Sequence, residues 1–138
     1  MPQVKRSIKV KQARIKIVGN SMLPLLSDKD WVIVAVNEKT IRKIGNIVLI
    51  RQQDGSLLHR LVGRSGNLFY SKGDNRWHLD PPSKAEEIIG VLKEVENKNQ
   101  IYHFIFPIID HLLIVLGRIH FIVLTLIRTR IERLKNGQ

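Results

Sequence analysis

The 138-residue sequence has no cysteine. Disulfides, thiolate nucleophiles and cysteine-ligated zinc are therefore excluded, and the redox compartment is left open. Its first sixteen residues have no acidic side chain: Lys5, Arg6, Lys9, Lys11, Arg14 and Lys16 stand there without a counter-charge. No apolar stretch follows this charged start as it would in a secretory signal peptide. Internal repeats and low-complexity runs are also missing. With 43% hydrophobic residues, the chain is not a disordered tail and is long enough for one domain with a modest core.

The formal net charge is +11, and it is concentrated at the ends. Residues 17–100 are close to balance, whereas Arg118, Arg128, Arg130, Arg133 and Lys135 outnumber Asp110 and Glu132 in the last segment. Basic ends suit an anionic partner, which is an anionic membrane surface in the favoured reading and nucleic acid in the less favoured one. Solubility alone is the plain alternative.

Apolar and polar residues alternate through 8–18 (IKVKQARIKIV), the pattern of an early strand. Trp31–Val36 is β-branched and continuous enough to be a buried strand. Ile47–Ile50, Leu57–Val62, Leu68–Ser71 and Ile88–Val95 complete the set, with turns at Asp54-Gly55 and Arg64-Ser65-Gly66-Asn67. Turn signals about every ten residues favour a compact antiparallel β domain over a βαβ fold.

The character changes near residue 97. Asn97-Lys98-Asn99-Gln100 reads as a linker, 101–127 as a strongly apolar segment and 128–135 as a basic, helix-compatible tail. About 20 apolar residues cross a bilayer, so the segment is long enough. Pro107, Asp110, His111, Gly117, Arg118 and His120 interrupt it, however, and one central Arg costs roughly 2.5–3.5 kcal/mol against about 0.3–0.6 kcal/mol returned per large apolar residue. Spanning is thus marginal. His111, Arg118 and Thr125 recur at seven-residue spacing on one helical stripe, which suits a helix lying in the membrane interface or a bent helical hairpin. The competing expectation is a helix packed on the protein's own sheet or in a dimer, the oligomeric state being open.

The chemistry starts at Gly19-Asn20-Ser21-Met22-Leu23-Pro24, which follows the first strand. A serine at a strand end, before a turn stiffened by Pro24, is either a turn residue or a nucleophile presented at the rim of a sheet. A nucleophilic serine needs a base. His103, His111 and His120 lie in the apolar segment without metal-ligand spacing, His78 sits in a loop, and His59 alone falls in a strand of the β domain. Gly73-Asp74-Asn75 and Asp80-Pro81 follow, each by itself a turn signal. Nothing in the spacing of His59, Asp74, His78 and Asp80 demands a metal, so neither metal nor cofactor is expected.

In order, Ser21-Met22-Leu23-Pro24, Gly45-Asn46-Ile47-Val48, His59-Arg60 and Gly73-Asp74-Asn75 with Asp80 resemble the motifs of the signal peptidase I-like serine proteases, the clan that also holds the repressor autoproteases. The likeness covers about residues 14–95. It implies a β domain of signal peptidase/repressor-protease type and serine endopeptidase activity on the signal or leader segment of a precursor polypeptide. Bacterial-type members use a lysine base where this chain has His59, and the His-Arg pair resembles the Ser-His-Asp branch. By that resemblance Ser21 is the nucleophile, His59 the general base and Asp80 the orienting carboxylate. Asp74 braces the site, with Met22 and Asn20 in supporting positions, and which of Asp74 and Asp80 is the essential acid stays open. Ser21's own N–H is the natural oxyanion donor. Gly19 stands where bacterial-type members often have a donor serine, so a side-chain donor would have to be Asn20. Two motifs depart from the family: its Gly-Asp after the serine turn reads Lys29-Asp30, and its next Gly-Asp reads Gly45-Asn46.

The expected organisation is a basic arm and first strand over 1–16, a catalytic β domain over 14–96, and a linker, membrane-associating helical segment and basic tail over 97–138. Without an N-terminal span or signal, the β domain is expected at the cytoplasmic face of a membrane. The competing function is a repressor-type regulatory domain that binds nucleic acid or a partner without protease activity. Its support is the basic arm, and no helix-turn-helix precedes the domain.

Overall fold

A computed structural model describes residues 11–36 and 42–137. Residues 1–10, most of the expected basic arm, lie outside the described residues. The described residues form β1 (Lys11–Lys16), β2 (Trp31–Val36), β3 (Ile47–Gln52), β4 (Gly55–Ser65), β5 (Leu68–Lys72), a short β6 (Ser83–Lys84), one 3-10 turn (Ala85–Glu87), β7 (Ile88–Val95) and one helix, α1 (Gln100–Lys135). The seven strands make one antiparallel sheet in the order β1-β2-β7-β3-β4-β5-β6. The mainly β fold with an apolar C-terminal helix is as the sequence implies. The last strand inserts between β2 and β3, and this long-range pairing is not visible in local patterns.

Side chains alternate across a strand, and both faces of the central strands are buried. Val32, Val34, Ile47 and Leu49 join one core with Ile17, Met22, Leu25 and Leu26 of the β1–β2 connection. Ala35, Val48 and Ile50 project into a second core with Leu61, Phe69, Ile88 and Val91. Burial on both faces accounts for the unbroken apolar run of Trp31–Val36. In the β1–β2 connection, Lys29 has φ 71°, in the left-handed region that favours glycine. Asp30 accepts hydrogen bonds from the amide and hydroxyl of Ser27 and pairs with Lys98 at 2.8 Å.

After a short connection over residues 96–99, the C-terminal segment is one helix and not a bent hairpin, and that helix packs on the domain. Asn99 caps α1 by accepting the Tyr102 amide at 2.8 Å, and the helix then runs unbroken for 36 residues, about 54 Å at 1.5 Å per residue. Tyr102, Phe106, Ile109 and Leu113 cover the first core, and Tyr102 Oη donates to the Leu25 carbonyl at 2.8 Å. Further along, Phe121 lies over Gly63 and against Tyr70, with ring centroids 5.2 Å apart. Gly117 is the buried residue of α1: a Cβ there would stand 2.8 Å from Val62 Cγ1, so only glycine lets the helix approach β4 this closely.

Candidate active site

Three separate segments meet at one point. Ser21 lies in the turn after β1, His59 is in mid-β4, and Asp80 is in the connection from β5 to β6. Ser21 Oγ is 2.9 Å from His59 Nε2, and His59 Nδ1 is 2.7 Å from Asp80 Oδ2. A carboxylate can only accept, so the Nδ1–H donates to Asp80 and Nε2 is left as acceptor for the serine hydroxyl. Ser71 Oγ donates to the same Asp80 oxygen at 2.6 Å, and the Asp80 amide donates to the Ser71 carbonyl at 2.8 Å. The imidazole is buried, at 6% side-chain exposure, and Asp80 nearly so. An open cavity of about 350 Å³ over the three residues is also lined by Asn20, Arg76 and His78.

Neighbouring residues along β4 have opposite tasks. His59 turns to Ser21 and Asp80, whereas Arg60, 1% exposed, turns toward α1. Its Nε and Nη2 fork onto Asp74 at 2.8 and 2.9 Å, and its Nη1 reaches the Gly45 carbonyl and Asp110, each at 2.8 Å. Burial pulls the guanidinium pKa down, but the hydrogen bonds and charges of Asp74 and Asp110 outweigh it, so the net direction is upward. Asp74 therefore holds Arg60 and not His59. The loop it anchors closes on the nucleophile: the Asn75 amide donates to the Ser21 carbonyl at 2.8 Å. At Gly73 a Cβ would fall 2.6 Å from that carbonyl oxygen and 3.0 Å from His59 Nε2. Any side chain at position 73 would push the serine and histidine apart.

The other sequence-derived positions sort by their surroundings. Met22 is 2% exposed and packs in the core under the turn, so its part is to hold Ser21 in place. Asn20 is exposed at the cavity rim, where its carbonyl accepts from Asn75 Nδ2 at 3.3 Å. Among the described residues, no group of three His, Asp or Glu side chains is placed to hold a metal ion. Lys72 is buried beside Asp74, but it lines the cavity along α1 and not the one over Ser21. Burial lowers its pKa, against the opposing charges of Asp74 and Asp80. Ser71, Gly73 and Asp110 have site contacts that sequence reasoning did not assign. No local signal marks Ser71, because its partner is nine residues away across an irregular loop.

The two carboxylates make different predictions. Asp80→Asn should lower any serine-dependent peptidase turnover by about 10⁴-fold with little change in stability, because an amide at that position no longer fixes the Nδ1–H tautomer. Asp74→Asn should mainly lower the thermal midpoint, since it halves the Arg60 fork. Cleavage rates and melting curves on both variants check this, and equal rate losses would refute the division.

The sequence model of the Peptidase S24-like family matches residues 3–93. The chain belongs to the Peptidase S24-like family. A comparison with curated proteins found no match. The match ends inside β7, so α1 lies wholly outside the family region, although the helix supplies Asp110 to the ion-pair network of the S24-like domain. This family includes both peptidases and repressor-type, self-cleaving members.

Proposed function

We propose that this S24-like domain is a serine endopeptidase of the signal peptidase I-like, Ser-His-Asp type. It removes signal or leader segments from precursor polypeptides at a membrane surface. The observation that carries the proposal is the continuous relay from Ser21 Oγ through both nitrogens of His59 to Asp80, with each contact at hydrogen-bond distance. Ser21 Oγ attacks the scissile carbonyl carbon while its proton passes to His59 Nε2. The tetrahedral oxyanion takes a hydrogen bond from the Ser21 backbone N–H, with Asn20 at the rim as a side-chain donor. Collapse breaks the C–N bond, and the leaving amine takes the proton from Nε2. Water, deprotonated by the same nitrogen, then adds to the acyl-serine and releases the acid and free Ser21.

A second cavity of about 300 Å³ adjoins Ser21 between residues 15–18 and 56–58, and Ile17, Met22 and Leu58 give it an apolar lining. It suits small apolar side chains just before the cleaved bond. The basic segment from Arg128 to Lys135 favours the negatively charged cytoplasmic leaflet. That orientation makes leader segments of ribosomally made peptides the substrates to try beside secretory precursors.

The test incubates the full chain, in detergent and in membranes, with both substrate kinds, and reads products by mass spectrometry. Cleavage of an added substrate at one defined bond is the expected result. Folded protein that cuts no added substrate would overturn the proposal. A repressor-type domain would instead cut only its own chain, at a rate independent of protein concentration.

A further inference from the structure

We propose that α1 is an in-plane membrane-docking helix: it carries the β domain on one face, presents the other to an anionic bilayer and does not cross it. This rests on the membrane-surface part of the proposed function and is independent of catalysis.

The helix is long and apolar enough to span by length and composition. Its contacts argue against that use. Residues from Tyr102 to Phe121 touch the β domain, a stretch of about 29 Å at helical rise. The hydrocarbon core is itself about 30 Å thick. The residues that would have to cross are thus the ones that hold Arg60, Val62 and Gly63. Spanning would either strip the domain from its helix or draw the charged domain into the lipid.

Opposite the packed stripe, Phe104, Ile108, Leu112, Leu116, Ile119 and Val123 are all exposed, at 75, 62, 56, 52, 52 and 46%. They share one face at helical spacing. His111, Arg118 and Thr125 occupy a flank between the packed and free faces, where polar side chains meet headgroups. Arg128, Arg130, Arg133 and Lys135 follow in the overhanging last turns, and only Glu132 opposes them. Such a basic end, on a chain of net charge +11, selects an anionic lipid surface over a neutral partner face.

Trp77 extends the apolar surface. It is 90% exposed and borders one cavity with Leu116, Ile119 and Val123. Indole rings favour the headgroup level. Its neighbour Arg76 lines both that cavity and the one over Ser21. Docking through α1 and Trp77 therefore sets the catalytic cavity beside the bilayer, within reach of a polypeptide lying on it.

The absence of cysteine makes the test direct, because any introduced cysteine is unique. On a Ser21→Ala background, Gln100→Cys and Asn136→Cys mark the two ends of α1, both at exposed positions away from the apolar face. Spheroplasts of expressing cells are treated with a membrane-impermeant maleimide before and after lysis. The expected result is one shared outcome: both ends are labelled under the same condition. Labelling that splits between the ends would show a span and overturn the proposal. The purified Ser21→Ala protein should also float with phosphatidylglycerol vesicles and much less with phosphatidylcholine. High salt should weaken this binding, and Leu116→Glu with Ile119→Glu should reduce it at least about tenfold. Both positions are solvent-exposed, so an unchanged melting curve separates lost docking from lost folding. A folded chain that ignores anionic vesicles would equally overturn the inference. So would a stable soluble dimer that shields a label at Ile119→Cys. Cleavage of a soluble peptide by the wild-type chain is scored separately, so loss of docking and loss of protease activity remain distinguishable.

Discussion

Ser21→Ala should slow cleavage of any accepted peptide by about 10⁴- to 10⁶-fold, and His59→Ala should do nearly the same. The double variant should be no slower than the worse single one. The serine is a nucleophile only while Nε2, 2.9 Å away, can take its proton, so removing either group removes the same step. Neither substitution should unfold the chain, because Ser21 lies in a turn and the His59 side chain bonds to Ser21 and Asp80 while its backbone stays in the β4 ladder. Progress curves by mass spectrometry, beside thermal melts, measure both quantities. A Ser21→Ala protein that keeps a tenth of the wild-type rate would remove Ser21 from the mechanism. Additive losses in the double variant would mean that serine and histidine act in separate steps.

The largest stability effect is expected at Arg60. Arg60→Met should destabilise the fold by about 3–5 kcal/mol, the range found when one partner of a buried ion pair is deleted. The side chain is 1% exposed and Asp74 is 3% exposed, so water cannot replace the lost fork around the remaining carboxylate. Arg60→Lys should recover only part, since an ammonium cannot reach Asp74 bidentately and also bond Gly45 and Asp110. Adding Asp74→Asn and Asp110→Asn to Arg60→Met should restore some stability, because the uncompensated buried charge is then gone. Urea unfolding in mild detergent gives these differences. A loss below about 1 kcal/mol would show that the network is no more than a surface ion pair. Activity should fall with stability in Arg60→Met, because Asp74 anchors the loop whose Asn75 amide holds the Ser21 carbonyl.

Much of the β domain was legible because each strand is a local event. Trp31–Val36 and Ile88–Val95 have the bounds their residue pattern indicates, since β-branched runs between turn residues leave few other ways to bury apolar surface. The expected strand at 8–18 is described as Lys11–Lys16, and the two-residue β6 carries no recognisable pattern at all. The ordered motifs around Ser21, His59 and Asp80 named the residues that meet, and left open which carboxylate faces the imidazole. Lys29 has a φ of 71°, a left-handed conformation that no local residue pattern announces at a lysine.

The C-terminal segment marks the boundary between the two kinds of information. By itself the sequence determined an apolar helix with a basic end, because composition and period suffice for that. In sequence alone, Asp110, Gly117 and His120 interrupt an apolar membrane-length segment. In the folded chain Asp110 answers Arg60, Gly117 admits the helix to Val62, and His120 lies on the packed side. Only tertiary structure decided these roles, and also that Asp80 and not Asp74 holds His59. The physical reason is the same in each case. Hydropathy averages over neighbours in sequence, whereas the worth of a buried charge, a missing Cβ or a carboxylate depends on one partner that chain folding brings from tens of residues away.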